Sequence, residues 1–195
     1  MSFPVSALKR VVVIGTSCSG KTTFAADLAE KLRCDHIELD QLHWLPNWRE
    51  RPDELFRSLV GEATGQDCWV VDGNYSVVRD ITWSRATAIV WLDYSFPIVF
   101  GRALWRSIRR IIAREELYAG NRESFKKTFL SRDSILLWVL TTYRRRRRDY
   151  PDLFQAPEHA HLVVRRLRTP AEAYRFLSRI STSAHPEYEK GRDHA

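Results

Sequence analysis

The sequence is poor in cysteine and has no long hydrophobic run. Its three cysteines, Cys18, Cys34 and Cys68, are an odd number without Cys-x-x-Cys spacing. This argues against a disulfide framework or a zinc site, and we expect a reducing, cytoplasmic environment. No stretch of about 18 apolar residues occurs, so no membrane span is expected. Residues 1–10 contain no apolar segment of signal-peptide length.

Residues 102–148 contain few acidic side chains and many arginines. Twelve arginines lie between Arg102 and Arg148, against four acidic residues, and the formal net charge of the whole chain is +7. A field of this sign attracts polyanions. Nucleotides and nucleic acids both fit that description, so charge alone does not choose between them.

A phosphate-binding pattern lies near the start of the chain. Residues 15–22 fit G-x-x-x-x-G-K-[ST], the Walker A motif or P-loop. An apolar run over 10–14 predicts a buried strand before it, and residues 23–32 predict a helix after it. The predicted nucleotide-binding residues are Gly15, Thr16, Ser17, Cys18, Ser19, Gly20, Lys21, Thr22 and Thr23.

Each residue type in this pattern has a chemical reason. Gly15 and Gly20 permit backbone angles that side chains forbid, so the loop can turn its N–H groups toward an anion. Lys21 can reach the β- and γ-phosphates of ATP as a catalytic cation, and the Thr22 hydroxyl can coordinate Mg²⁺. We therefore expect ATP and Mg²⁺ at this loop.

Strands and helices alternate along the rest of the chain. Strands are predicted over 10–14, 35–40, 68–72, 87–93 and 161–167, and Thr169 and Pro170 are typical of the start of a last helix. This order predicts an α/β fold with a parallel sheet wrapped by helices. We expect one domain over 1–180, a helical lid insertion at about 109–148, and a disordered tail over 181–195.

Two aspartates end predicted strands after apolar runs. Asp72 is the candidate second ligand of Mg²⁺, because P-loop enzymes hold the metal with a carboxylate from a neighbouring strand. The alternative is a turn residue, since Asp-Gly is a common turn. For Asp93 we favour a role at the entry to the following helix.

Asp40 ends the second predicted strand and is the candidate catalytic base. In open α/β folds, ligands bind at the carboxyl edge of the sheet, where a carboxylate could accept the proton of an acceptor hydroxyl. Capping of the next loop is the alternative. Nearby polar and aromatic residues are the substrate candidates: His43, Trp44, Asn74, Tyr75 and Arg79. His43, Trp44 and Trp48 could equally pack the loop.

The arginine-rich insertion has the composition expected of a lid. Arg102, Arg106 and Arg109 fall on roughly one helix face. Arg122 and Arg132 are predicted catalytic arginines, because arginines stabilise the charge that develops during phosphoryl transfer. The run 144–148 points all around a helix, so we expect most of its side chains to be solvated.

These segments together resemble the adenylate-kinase-type P-loop kinases, in particular the subgroup called DNA topology modulation protein-like. The similar segments are 15–22, 37–44, 70–75, 120–124 and 131–136. The resemblance covers about residues 9–180. It implies a five-stranded parallel sheet of order 2-3-1-4-5, a three-layer architecture and a lid. It also implies that Arg102 lies near the nucleotide base.

One segment departs from the adenylate kinase pattern. The sequence at the end of the third predicted strand is Asp72-Gly73-Asn74-Tyr75-Ser76, where adenylate kinases have Asp-Gly-Phe-Pro-Arg. The next arginine, Arg79, comes three residues after Ser76. A phosphate acceptor needs no base, whereas a hydroxyl acceptor benefits from one. The prediction is a kinase acting on a hydroxyl compound or a nucleoside or nucleotide. A nucleic-acid-associated ATPase or regulator is the alternative.

Overall fold

The computed structural model describes residues 7–113 and 135–180, without the side chains of residues 107, 110–113 and 135–141. Arg122, Arg132 and the predicted tail therefore lie outside the described residues. The seven strands are β1 Arg10–Gly15, β2 Asp35–Glu38, β3 Trp44–Leu45, β4 Arg49–Glu50, β5 Trp69–Asp72, β6 Ala88–Leu92 and β7 Val163–Leu167. The α-helices are α1 Lys21–Leu32, α2 Leu39–His43, α3 Asp53–Ala63, α4 Arg79–Arg85, α5 Phe96–Ala113, α6 Ile135–Gln155 and α7 Pro170–Ser178.

Five strands form one parallel sheet, as the alternation of strands and helices predicts. The order is β2-β5-β1-β6-β7, and every neighbouring pair is parallel. The short β3 and β4 form a separate antiparallel pair. The predicted order 2-3-1-4-5 counts only the strands of the main sheet and leaves this pair out. The carboxyl ends of β1, β2 and β5 thus lie side by side at one edge.

Helices cover both faces of the sheet, because the side chains of the central strand alternate between two apolar clusters. Val11 and Val13 pack with residues of α1, α5 and α7. Val12 and Ile14 pack with residues of α3, α4 and α6. All four are fully or almost fully buried. A strand buried on both faces is typical of parallel sheets.

The last helix begins as its sequence predicts. Thr169 caps α7 by accepting a hydrogen bond of 3.1 Å from the backbone N–H of Glu172, and Pro170 is the first helical residue. The Glu172 carboxylate in turn accepts a hydrogen bond of 2.8 Å from the backbone N–H of Arg168. The arrangement differs from a capping box by one residue, because the carboxylate accepts from Arg168 and not from the N-cap Thr169, and it satisfies two backbone donors at the start of the helix.

Two predicted boundaries are wrong. The second strand ends at Glu38 instead of residue 40, because Leu39 packs over Gly73, where a Cβ would lie 2.8 Å from the Leu39 Cβ. Asp40 consequently lies in α2. The helical insertion, predicted to end at about residue 148, continues as α6 to Gln155, because Tyr150 and Phe154 pack against the buried Trp91.

The cysteines also differ from expectation. Cys34 and Cys68, which immediately precede β2 and β5, form a disulfide with a Cα–Cα distance of 5.2 Å. The odd cysteine count did not reveal this pair, because the two residues are 34 positions apart and meet only when the neighbouring strands align. Cys18 is buried and is not part of this disulfide. Within residues 7–113 and 135–180, the helices lack the length and apolar character needed to cross a membrane.

Candidate functional site

The loop between β1 and α1, which is the predicted phosphate loop, makes a tight turn that requires its glycines. Gly20 has a φ of 87°, in the left-handed region that favours glycine. A Cβ on Gly15 would lie 2.7 Å from the Leu92 carbonyl oxygen. The Ser19 hydroxyl is buried and has no hydrogen-bond partner in the described part of the chain. Buried polar groups are ordinarily paired, so this hydroxyl fits the contact that a bound phosphate oxygen would supply.

Lys21 brings an ammonium group to this loop. Its Nζ donates a hydrogen bond of 3.4 Å to the Thr16 carbonyl oxygen. Burial of the ammonium, and secondarily the nearby charge of Arg146, lowers the pKa of Lys21 below its usual 10.5. The carboxylates of Asp72 and Asp40 oppose this lowering. A phosphate dianion beside Lys21 would favour its charged form in the same way.

Thr22 and Asp72 form the candidate metal site. The Thr22 hydroxyl donates a hydrogen bond of 2.7 Å to Oδ2 of the buried Asp72, and His36 Nε2 lies 3.2 Å from Oδ1. No group of three or more His, Cys, Asp or Glu side chains that could hold a metal occurs in residues 7–113 and 135–180. Mg²⁺ suits such a site, because it binds few protein oxygens and completes its octahedron with water and phosphate.

Asp40 lies in the first turn of α2, at the same sheet edge. The Tyr75 hydroxyl donates a hydrogen bond of 2.6 Å to its Oδ1. The Asp40 charge acts to raise the pKa of both Lys21 and Arg146, although burial lowers each overall. The carboxylate is therefore close to the two cations at the P-loop, which is the position that a base for an acceptor hydroxyl requires.

Asn74 joins three elements of the site. Its amide nitrogen donates to the Gly15 carbonyl oxygen at 2.5 Å, and its amide oxygen accepts from the Gly15 N–H at 3.2 Å. The Tyr150 hydroxyl also donates to that oxygen, at 3.1 Å. These contacts lie within the protein, so they hold the P-loop against β5 and α6. The structure itself provides no evidence for the predicted substrate contact of Asn74.

The aromatic residues after Asp40 pack mainly on one another. The His43 ring is 6% exposed, and its centroid lies 4.5 Å from Tyr75, 4.8 Å from Trp44 and 5.0 Å from Phe56. Trp44 contacts Trp48 edge-to-face at 5.5 Å. Of the two alternatives for this loop, the geometry favours packing for His43. The cluster supports Tyr75, whose hydroxyl contacts Asp40.

Two predicted arginines, Arg102 and Arg79, lie on different helices, α5 and α4. Arg102 Nη1 donates a hydrogen bond of 2.9 Å to the Ser19 carbonyl oxygen, and its guanidinium lies 5.2 Å from the Tyr94 ring centroid. Arg102 therefore contacts the P-loop directly. Arg79 begins α4, with its guanidinium 5.2 Å from the centroid of Trp83.

Arg146 was missed because it lies within a run predicted to be solvated. Its Nη1 donates a hydrogen bond of 3.3 Å to the Gly15 carbonyl oxygen, and the residue is half-buried. The other four arginines of the run are exposed, as predicted for most of it, although Arg147 also pairs with Asp93. The apolar and aromatic positions on α6 could have predicted which arginines of the run 144–148 face the sheet. Tyr143 and Tyr150 are buried, so intervening residues near that face also turn inward.

Asp93 is an anchor for two arginines rather than a helix-entry residue. Its buried carboxylate accepts hydrogen bonds from Arg166 and Arg147, with ion-pair distances of 2.5 Å and 2.9 Å respectively. Arg166 also lies over the Trp91 ring, at 4.4 Å. These contacts tie α6 to the carboxyl edges of β6 and β7, which places Arg146 over the P-loop.

No protein-family model matches the chain. The uncharacterized protein YqaC of Bacillus subtilis (strain 168) is 26% identical over 124 residues, which cover 63% of this chain and 69% of YqaC. A gluconokinase from Sinorhizobium meliloti 1021 is 21% identical, with a TM-score of 0.49 and coverage of 89% of this chain and 94% of its own. A sugar kinase from Janibacter sp. HTCC2649 is 20% identical, with a TM-score of 0.46 and coverage of 90% and 97%.

Proposed function

We propose that this protein is an ATP-dependent kinase that transfers the γ-phosphoryl group to a hydroxyl of a small-molecule acceptor. The observation that carries the proposal is the position of Asp40. Its carboxylate accepts a hydrogen bond from Tyr75 and lies near Lys21 and Arg146, which both contact P-loop carbonyl oxygens. A base beside phosphate-binding cations is what transfer to a hydroxyl needs.

The P-loop residues would bind the nucleotide. The backbone N–H groups of the loop and the Lys21 ammonium would hold the β- and γ-phosphates, and the Ser19 hydroxyl would contact a phosphate oxygen. The Thr22 hydroxyl and Asp72 would hold Mg²⁺, with His36 orienting the carboxylate through its other oxygen. Bound Mg²⁺ supplies positive charge that neutralises the phosphate oxygens.

Asp40 would act on the acceptor. It accepts the proton of the acceptor hydroxyl while the hydroxyl oxygen forms a bond to the γ-phosphorus, and the bond from that phosphorus to the β–γ bridging oxygen breaks, so ADP leaves. Lys21 and Arg146 stabilise the charge on the equatorial oxygens during this step. The hydrogen bond from Tyr75 holds the Asp40 carboxylate in position. A positioned base of this kind contributes roughly 10²–10⁴-fold in rate.

The test measures ADP release and phosphorylated product with Mg²⁺ and ATP across a panel of polyols, sugars, sugar acids, nucleosides and nucleoside monophosphates. We expect one class to give product in equal amount to ADP. Lys21→Ala should abolish this turnover, while Lys31→Ala, at the other end of α1, should preserve it.

Two outcomes would contradict the proposal. If the protein binds no nucleoside triphosphate in the presence of Mg²⁺, the phosphate site is wrongly assigned. If ADP release depends on added DNA and no small acceptor gains phosphate, the alternative of a nucleic-acid-associated ATPase is correct. A steep loss of DNA affinity with rising salt would accompany that result.

A further inference from the structure

Arg79 lines one small cavity together with Tyr75, whose hydroxyl contacts Asp40. The cavity lies at the carboxyl edge of the sheet, and its polar lining comes from Asn74, Tyr75, Arg79, Thr82 and Tyr150. Its interior has room for about one water molecule, at about 10 Å³. The body of an acceptor would therefore lie outside it, toward Asp40 and the P-loop, with a terminal group directed at Arg79.

The guanidinium of Arg79 has no anionic partner in the described parts of the chain. Its recorded contact is with the face of Trp83. Neighbouring arginines are different: Arg57 forms two hydrogen bonds with the Asp80 carboxylate, at 2.8 Å and 2.7 Å. Arg85 donates to the Gly61 carbonyl oxygen and the Thr64 hydroxyl. A half-buried guanidinium with all its donors available is a ready site for a carboxylate or phosphate.

The surroundings of this cavity carry excess positive charge. Burial raises the pKa of the Tyr150 phenol, and the charges of Arg146, Arg79 and Arg145 act in the opposite direction. Lys21 adds a further cation at the P-loop. Asp40 and Asp72 are the carboxylates recorded near Lys21, and Asp72 is already engaged by Thr22 and His36. In the proposed function Lys21 and Arg146 contact the phosphates of the nucleotide, so Arg79 is available to bind a second anion.

We propose that the acceptor is itself an anion, a hydroxylated carboxylate or phosphate compound whose negative group pairs with Arg79 while its hydroxyl lies at Asp40. This inference rests on the proposed kinase function and names its substrate class. The positive charge of Arg79 would offset the electrostatic repulsion between an anionic acceptor and both Asp40 and the phosphates of ATP.

The test compares matched acceptors that differ in one anionic group. The pairs are D-gluconate and D-glucitol for a carboxylate, glycerol 3-phosphate and glycerol for a phosphate, and AMP and adenosine for a nucleotide. Each is tested for turnover with Mg²⁺ and ATP, and for binding by calorimetry in the presence of Mg²⁺ and ADP. We expect the anionic member of at least one pair to be preferred by about 10-fold or more.

Variants of Arg79 then test whether this residue causes the preference for an anionic acceptor. Arg79→Gln should raise KM and Kd for the anionic acceptor by about 10- to 100-fold, with kcat changed by less than about threefold, and should leave the neutral member unaffected. Arg79→Lys should restore part of the loss because it keeps the charge. Arg168→Gln, an exposed arginine at the entry to α7, is the matched control and should behave as wild type.

The outcomes separate this inference from the kinase proposal. Equal use of neutral and anionic acceptors, or an Arg79→Gln variant that keeps the preference, overturns the anionic acceptor and leaves the kinase intact. If wild-type protein phosphorylates nothing, the kinase proposal fails. The calorimetry then still tests whether Arg79 binds an anion. Anion binding lost in Arg79→Gln supports the Arg79 site, whereas no preferential binding of any anionic member overturns it.

Discussion

Tyr75 donates a hydrogen bond of 2.6 Å to Asp40, although the two residues are 35 positions apart in the chain. The bond joins the end of β5 to the first turn of α2, beside the P-loop. It holds the carboxylate through its Oδ1. We derive the first prediction from this pair.

Asp40→Asn should lower kcat by about 100-fold or more, because the amide cannot accept the proton of an acceptor hydroxyl. The KM for ATP should change little, since the P-loop is intact. Tyr75→Phe keeps the ring among His43 and Phe56 and removes only the hydroxyl, so its loss of kcat should be smaller. Steady-state kinetics measures both. An unchanged kcat in Asp40→Asn would remove the base from the mechanism.

His36 provides a prediction about Mg²⁺. Its Nε2 lies 3.2 Å from Oδ1 of Asp72, whose other oxygen accepts from Thr22. His36→Leu should raise the Mg²⁺ concentration for half-maximal activity by about 10-fold, because partners of metal ligands typically contribute 10- to 100-fold. His36→Gln, which retains an N–H donor, should recover much of this loss. A loss of activity that is the same at all Mg²⁺ concentrations would contradict the positioning role.

The Asp93 cluster should contribute to stability. Asp93→Asn leaves Arg147 and Arg166 without a compensating charge, and we expect a loss of about 1–2 kcal/mol in the free energy of unfolding. This is less than for a fully buried pair, because the two arginine side chains are 40% and 35% exposed. Denaturant unfolding measures the change.

Asp80→Asn is the matched control for Asp93→Asn, because Asp80 also accepts two hydrogen bonds from an arginine but is 63% exposed. Its loss should be clearly smaller, since solvent screens exposed ion pairs. If the two variants lose equal stability, burial is not what gives the Asp93 cluster its strength.

The Cys34–Cys68 disulfide predicts a redox-dependent stability. The cysteines are 34 positions apart, and a cross-link over such a loop stabilises by roughly 3–4 kcal/mol in the chain-entropy estimate. Oxidised protein should therefore unfold at higher denaturant concentration than protein treated with dithiothreitol. Cys34→Ser should match the reduced protein and should not respond to the reductant. Identical unfolding of wild-type protein with and without reductant would contradict the bond.

Local chemistry explains what could be predicted. The loop between β1 and α1 could be located because the Walker A pattern lies within eight consecutive residues, in which the glycines set the backbone geometry and Lys21 and Thr22 supply the side chains. The main-sheet strands and the start of α7 could be found for the same reason, since hydrophobic runs and the Thr169 cap depend on near neighbours. The boundary at Glu38 could not, because it depends on contact between Leu39 and Gly73.

By itself the sequence determined the position of the Walker A pattern between a strand and a helix and the alternation of strands and helices, because these follow from short-range periodicity and backbone preference. Only the tertiary structure decided which residues meet. Arg146 reaches Gly15 across 131 positions, and Arg147 reaches Asp93 across 54. All five residues of the run 144–148 are arginine, so residue type alone does not show which of them contact the rest of the protein. The rotation of α6 on the sheet decides which of them form these long-range contacts, and long-range packing sets that rotation.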